Sequence, residues 1–122
     1  MGDDEKALPF AESEPGATGL ELLLSLALKW SLDSGTPLGQ ALATVTSRPA
    51  AVLGSALGPL ATSAGRLHAG GVADVCVFDP NASWVLSAAV LRSQGHSTPF
   101  SGYELQGRVR ATVVGGHLAF TA

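Results

Sequence analysis

The chain has 122 residues, 46% of them apolar and 14% charged, which is the make-up of a packed globular domain and excludes wholesale disorder. Its length excludes a complete (β/α)8 barrel, which takes about 250 residues. A net charge of −3 speaks against an electrostatic nucleic-acid binder, and the single cysteine, Cys76, cannot close an intramolecular disulfide.

Residues 1–17 combine Asp3, Asp4 and Glu5 with Pro9, Pro15 and Gly16, show no apolar period, and read as a solvated acidic loop. They hold no apolar signal-peptide core. The greasiest stretch, Leu20 to Leu32, is interrupted by Glu21 and Lys29 and is too short to span a membrane. The expected location is therefore cytoplasmic. A helix is predicted from Thr18, the N-cap of a capping box completed by Glu21. Leu20, Leu23, Leu24, Ala27 and Trp30 follow at helical spacing, Leu22, Leu26 and Leu28 make the helix apolar on further sides, and Gly35 supplies the stop.

Thr36-Pro37 opens a second helix, with Pro37 at its first position and Leu38, Ala41, Leu42 and Val45 as its stripe. Ser47 caps a third, short helix that ends at Gly54. Residues 55–64 are small and irregular and read as a flexible loop. The pattern changes at Gly65. Val72 to Phe78 is a β-branched strand ending in an Asp79-Pro80 turn, Ser83 to Leu86 a second short strand, and residues 93–102 an ordered loop. Arg108 to Val114 and His117 to Phe120 flank Gly115-Gly116, a hairpin turn. The fold class is α+β: two or three helices followed by a small antiparallel β segment, dividing into 1–64 and 65–122. Three helices carry more apolar surface than such a segment covers, at about 1.5–3 kcal/mol forgone per exposed leucine. The helical part thus expects a further covering, from more chain or from self-association.

Few residues suggest chemistry directly. His68, His96 and His117 lie in separate turns and strands, far from the close spacing of metal ligands, and read as surface histidines. Gly95-His96-Ser97-Thr98-Pro99 fails as a nucleophile elbow, because proline replaces the last glycine and no helix follows. Neither Ser97 nor Cys76 has a base nearby in sequence, and Cys76, between Val75 and Val77, reads as a buried thiol. Asp74 and Asp79 bracket the strand and suit strand-end and turn hydrogen bonding better than paired-carboxylate catalysis. Trp30 and Trp84 read as core or interface aromatics.

Several motifs nevertheless resemble one family. Gly65-Arg66-Leu67-His68-Ala69-Gly70-Gly71-Val72-Ala73-Asp74 is similar to the Gly-x-Leu-x-x-Gly-x-x-Ala-Asp motif that opens the C-terminal β segment of cyclic amidohydrolases. Ser93 to Gly102, Leu105-Gln106-Gly107-Arg108-Val109 and Thr112 to Gly115 narrow the resemblance to dihydroorotases of the longer bacterial type. Pro15-Gly16-Ala17-Thr18-Gly19-Leu20-Glu21 resembles the start of that family's last barrel helix. Residues 55–64 depart from the family pattern.

The resemblance implies a chain that ends a metal-dependent (β/α)8 barrel and supplies part of its β-sandwich. The implied reaction is hydrolysis of the ring amide of dihydroorotate, or its reverse, in pyrimidine synthesis. It implies zinc in the complete enzyme. The family's metal ligands and its catalytic aspartate lie upstream of these motifs and have no counterpart among these residues. The chain alone is therefore expected to have no catalytic or metal-binding residue, no cofactor and no activity. What carries over is a backbone contact to the dihydroorotate ring at Pro15 and Gly16; without the resemblance, Pro15-Gly16 reads as a simple turn before the helix. The implied partner is the remainder of the barrel. The resemblance also admits a second outcome, a non-catalytic dihydroorotase-like partner of aspartate transcarbamoylase.

Overall fold

A computed structural model describes residues 8–13 and 15–122. Most of the expected acidic loop, including Asp3, Asp4 and Glu5, lies outside the described residues. Two 3-10 helical segments and three α-helices occupy the first half. A 3-10 turn over Leu20–Leu22 runs into α1 (Leu23–Ser34), followed by α2 (Leu38–Val45), α3 (Ser47–Leu53) and a second 3-10 stretch, Gly54–Thr62. The second half is an antiparallel meander of β1 (Val75–Val85), β2 (Glu104–Val114) and β3 (His117–Thr121), in that spatial order. This is the helices-first, strands-after arrangement that the sequence predicts.

Local signals account for much of it. Gly35 ends α1 with φ 67°, a left-handed cap that glycine adopts without a Cβ penalty. Gly115 and Gly116, at φ 55° and 82°, make the tight turn that joins β2 to β3, with Val114 opposite His117. Pro37 caps α2 from just outside instead of standing at its first position.

Three sequence expectations are corrected. The capping box does not form: no side chain caps the 3-10 turn or α1, because Thr18 and Glu21 are recruited by residues more than seventy positions away. Residues 55–64 are mostly 3-10 helix, not an irregular loop, kinked where Gly58 takes φ 56° before Pro59. The two short strands predicted on either side of Asp79-Pro80 are one strand, β1, with irregular register between Val77 and Phe78 and again between Asp79 and Ser83. Proline is tolerated there because β1 is an edge strand with a local break in its ladder.

The core lies between the start of α1 and the sheet. Leu22, Leu86, Leu91 and Leu105 form its buried cluster, with Leu26, Trp84 and Phe100 packed against it. The buried residues of α1 are Ser25, Ala27, Leu28 and Ser31, with Leu22 of the preceding turn, so of the predicted stripe only Ala27 is buried. Ser25 falls on the inner face where β2 comes very close, and Ser31 donates to the Thr36 carbonyl. Gly107 is buried at φ 94°, and its carbonyl accepts hydrogen bonds from Ser25 Oγ and Trp84 Nε1, both at 3.1 Å. A Cβ on Gly107 would collide with Leu28.

Leu20, Leu23 and Trp30 of the stripe turn outward, and Leu24 is half-buried. Leu20 is 89% exposed, and Leu23, Trp30, Leu32, Val52 and Leu53 are also exposed, as expected of helices that want a further covering. Cys76 is exposed as well, correcting its reading as a buried thiol. No helix among the described residues is long and apolar enough to cross a membrane.

Candidate functional site

Pro15 and Gly16 lie on the exposed segment that leads into the first helical turn. Gly16 has φ 99°, a conformation that residues with a Cβ rarely adopt, so glycine is needed for the path of this backbone. The segment is tied to the loop between β1 and β2. The Thr18 amide donates to the Ser97 carbonyl at 2.7 Å, and Thr18 Oγ1 donates to the Gly95 carbonyl at 2.9 Å. One helical turn further on, the Glu21 carboxylate accepts from the Arg92 amide at 3.0 and 3.1 Å and from the Ser93 amide and hydroxyl, both at 2.6 Å.

Burial pushes the Glu21 carboxyl up, but the Ser93 hydroxyl, the Arg92 and Ser93 amides and the Arg92 charge outweigh it. Together they hold Glu21 below the usual glutamate range. The receiving loop is itself braced. Leu91 stands in the core just before it, the Gly102 amide donates to the Leu86 carbonyl at 2.8 Å, and Phe100 meets Tyr103 edge to face at 5.6 Å. Two motifs that the sequence presents as separate are thus one structural unit.

The other candidates do not converge. His68 and His117 are exposed and His96 is half-buried. Ser97 lends its carbonyl to Thr18. Asp74 accepts from the Gly115 amide at 2.7 Å, and Asp79 accepts from the Asn81 amide and pairs with Arg110, which are the strand-end and turn roles expected of them. A cleft of about 450 Å³ between α1 and the sheet is lined by Glu21, Trp84, Arg92, Arg108 and Phe120. Its arginines are already engaged, Arg92 over the Phe120 ring and Arg108 over Trp84, each at 4.8 Å. A larger and more open cleft of about 640 Å³ is lined by Lys29, Asp33, Tyr103 and Glu104. Neither contains Pro15 or Gly16.

Comparison with known proteins gives a consistent answer. The chain is 43% identical to a dihydroorotase-like protein of Pseudomonas aeruginosa, over 94% of this chain and 25% of that protein. It is 35% identical to a dihydroorotase of Citrifermentans bemidjiense, over 98% of this chain and 26% of that one. Among solved structures, a D-hydantoinase of Thermus sp. superposes on 99% of the chain with a TM-score of 0.83 at 22% identity, matching 26% of its own length. No protein-family model matches.

The chain is related to the C-terminal quarter of the dihydroorotases. It spans about a quarter of the length of the curated relatives it matches. Its fold is that of the corresponding portion of hydantoinases, whose architecture is the amidohydrolase barrel.

No three His, Cys, Asp or Glu side chains among the described residues could hold a metal ion. The described residues therefore do not by themselves fit the zinc that the resemblance implies for the complete enzyme. Thr18 and Glu21 make long-range contacts that sequence reasoning missed. Their residue types read as a capping box, and nothing local distinguishes polar groups used for a cap from those used by a distant loop.

Proposed function

We propose that this chain is the C-terminal portion of a dihydroorotase-type cyclic amidohydrolase and presents the backbone of Pro15 and Gly16 to the ring of the substrate. The observation that carries this reading is sequence identity of 35–43% to dihydroorotase and dihydroorotase-like proteins over almost the whole chain. In this reading residues 1–64 complete the barrel and residues 65–122 form part of the β-sandwich. The outward leucines of α1 and α3 lie against the remainder of the protein, which is their first partner. A cyclic amide offers ring carbonyl and N–H edges, and a glycine backbone reaches such a ring with no side chain in the way. Binding and orienting the ring is the whole contribution of this portion. Zinc, and the group that moves the proton, belong to residues elsewhere in the complete enzyme, and this portion has no activity alone. The reading supports a protein of the cytoplasm that takes part in pyrimidine synthesis.

A chimera tests this. The chain replaces the C-terminal quarter of the Citrifermentans bemidjiense dihydroorotase, and dihydroorotate hydrolysis is measured. The proposal expects a folded, active hydrolase. A folded chimera without hydrolysis overturns it.

A second reading has one observation in its favour: the relatives of Pseudomonas, at 43% and 42% identity, are named dihydroorotase-like, whereas the dihydroorotases stand at 34–36%. Here the parent is a non-catalytic, dihydroorotase-like partner of aspartate transcarbamoylase. An active chimera combined with a parent that binds aspartate transcarbamoylase and hydrolyses nothing favours this reading.

A further inference from the structure

We infer that Glu21 and Thr18 are positioning residues: they clasp the loop 92–97 and thereby hold the backbone of Pro15 and Gly16 in its ligand-facing path. The inference rests on the reading of Pro15-Gly16 as a substrate contact and assigns the residues that make the contact possible.

The argument begins with the conformational problem. A segment that runs through Gly16 at φ 99° gains no rigidity from its own residue type, because glycine visits many backbone states. Flexible backbone makes a poor ligand contact, since each ligand then has to order it. This segment is ordered from outside. On one side of Gly16, within five residues, Thr18 and Glu21 together engage Arg92, Ser93, Gly95 and Ser97 through backbone and side-chain hydrogen bonds of 2.6–3.1 Å.

The chemistry of Glu21 suits the task. A carboxylate only accepts, so it can receive two amides and a hydroxyl that converge on it, and hydrogen bonds to an ionised acceptor are about twice as strong as neutral ones. Its partners are two consecutive amides of a loop, and a loop that turns its amides toward one carboxylate is fixed in register as well as in distance. Thr18 repeats the connection with an amide and a hydroxyl directed at two carbonyls of the same loop. Helix capping, the ordinary use of these two residues, is given up for it. The joined segments of chain are 71–79 residues apart, so the clasp couples the start of α1 to the β segment.

The test uses this chain, isotopically labelled, with dihydroorotate itself as the probe. Three quantities are read in wild type, Glu21→Ala, Ser93→Ala and Glu21→Gln: the ligand-induced shift of the Gly16 amide, hydrogen exchange at the Thr18 amide, and the unfolding midpoint. The expected result is a saturable Gly16 shift in wild type that weakens at least about tenfold in Glu21→Ala, with Thr18 exchange accelerated about tenfold, while the core amides of Leu86 and Leu105 stay protected. Glu21→Gln keeps an acceptor oxygen toward Ser93 and falls between the two.

A purely structural role would lower the midpoint in the variants without changing the ligand affinity at Gly16, and that result overturns the proposal. Ser93→Ala removes one partner and leaves the carboxylate in place, so it decides the question if Glu21→Ala fails to fold. Absence of any Gly16 shift in wild type overturns the reading of Pro15-Gly16 as a substrate contact. The clasp is then judged on exchange alone: faster exchange at Thr18 in Glu21→Ala upholds it, and unchanged exchange overturns it.

Discussion

Replacing Gly107 by alanine puts a methyl group where two elements meet without room for one. Gly107 has φ 94°, and a residue with a Cβ pays about 1–2 kcal/mol to stay in left-handed space. The new Cβ would collide with Leu28 Cδ1 and come to 3.6 Å from Ser25 Oγ. Leu28 is only 4% exposed and cannot swing into solvent, so the collision becomes overpacking, worth about 1–3 kcal/mol. The two costs together make about 2–5 kcal/mol, a large share of the stability of an ordinary domain. For a chain of this size the melting midpoint then falls by about 10–20 °C.

Circular dichroism during thermal and urea unfolding measures this loss. Gly35→Ala is the comparison. It has a similar positive φ, 67°, but nothing lies within 4 Å of its Cβ, so it costs only about 1 kcal/mol. A double-mutant cycle with Leu28→Ala isolates the collision, with an expected coupling of about 1–3 kcal/mol. Equal destabilisation by Gly107→Ala and Gly35→Ala, with no coupling to Leu28, refutes the close packing of α1 on β2.

Leu105→Ala, at the centre of the buried cluster, should cost about 2–5 kcal/mol in urea unfolding, whereas Val52→Ala, 85% exposed, should stay within about 0.5 kcal/mol of wild type. Gly65→Ala places a Cβ 2.7 Å from Ser47 Cα, a backbone atom that cannot rotate away, so hydrogen exchange should accelerate through α3. Folding holds the Glu21 carboxyl below its ordinary value of about 4.5, so its contribution is complete above that value and fades as pH falls through the depressed one. The fall in stability on acidification below that ordinary value should flatten in Glu21→Gln, as read from urea midpoints across the acid range. The exposed apolar face of α1 should drive self-association of the isolated chain, and light scattering over a concentration series should give masses above the monomer; a compact monomer at high concentration contradicts it.

Elements fixed by neighbouring residues were legible in the sequence. Gly35 stops a helix and Gly115-Gly116 turns a hairpin because each needs only its own backbone freedom. The fold class followed from the change of pattern at Gly65. What escaped was everything decided at long range. The periodicity of α1 points to Leu20, Leu23 and Trp30, but the sheet comes so close at Gly107 that the small Ser25 takes the inner face beside Leu28. Pro80 signals a turn, yet an edge strand passes through it because an irregular register needs no amide there. Thr18 and Glu21 carry the pattern of a cap, yet Glu21 accepts from Arg92 and Ser93 and Thr18 donates to the carbonyls of Gly95 and Ser97. Pro15 and Gly16 are singled out only by resemblance, since their own residue types suggest no more than a turn.

The claim that this portion binds and orients a ring but cannot turn it over is tested most directly by dihydroorotate hydrolysis with the purified chain, with and without added zinc. The account predicts no turnover above the zinc-only control in either condition. Zinc-dependent hydrolysis by the chain alone would mean that residues assigned here to turns and strand ends assemble a catalytic site, and would contradict it.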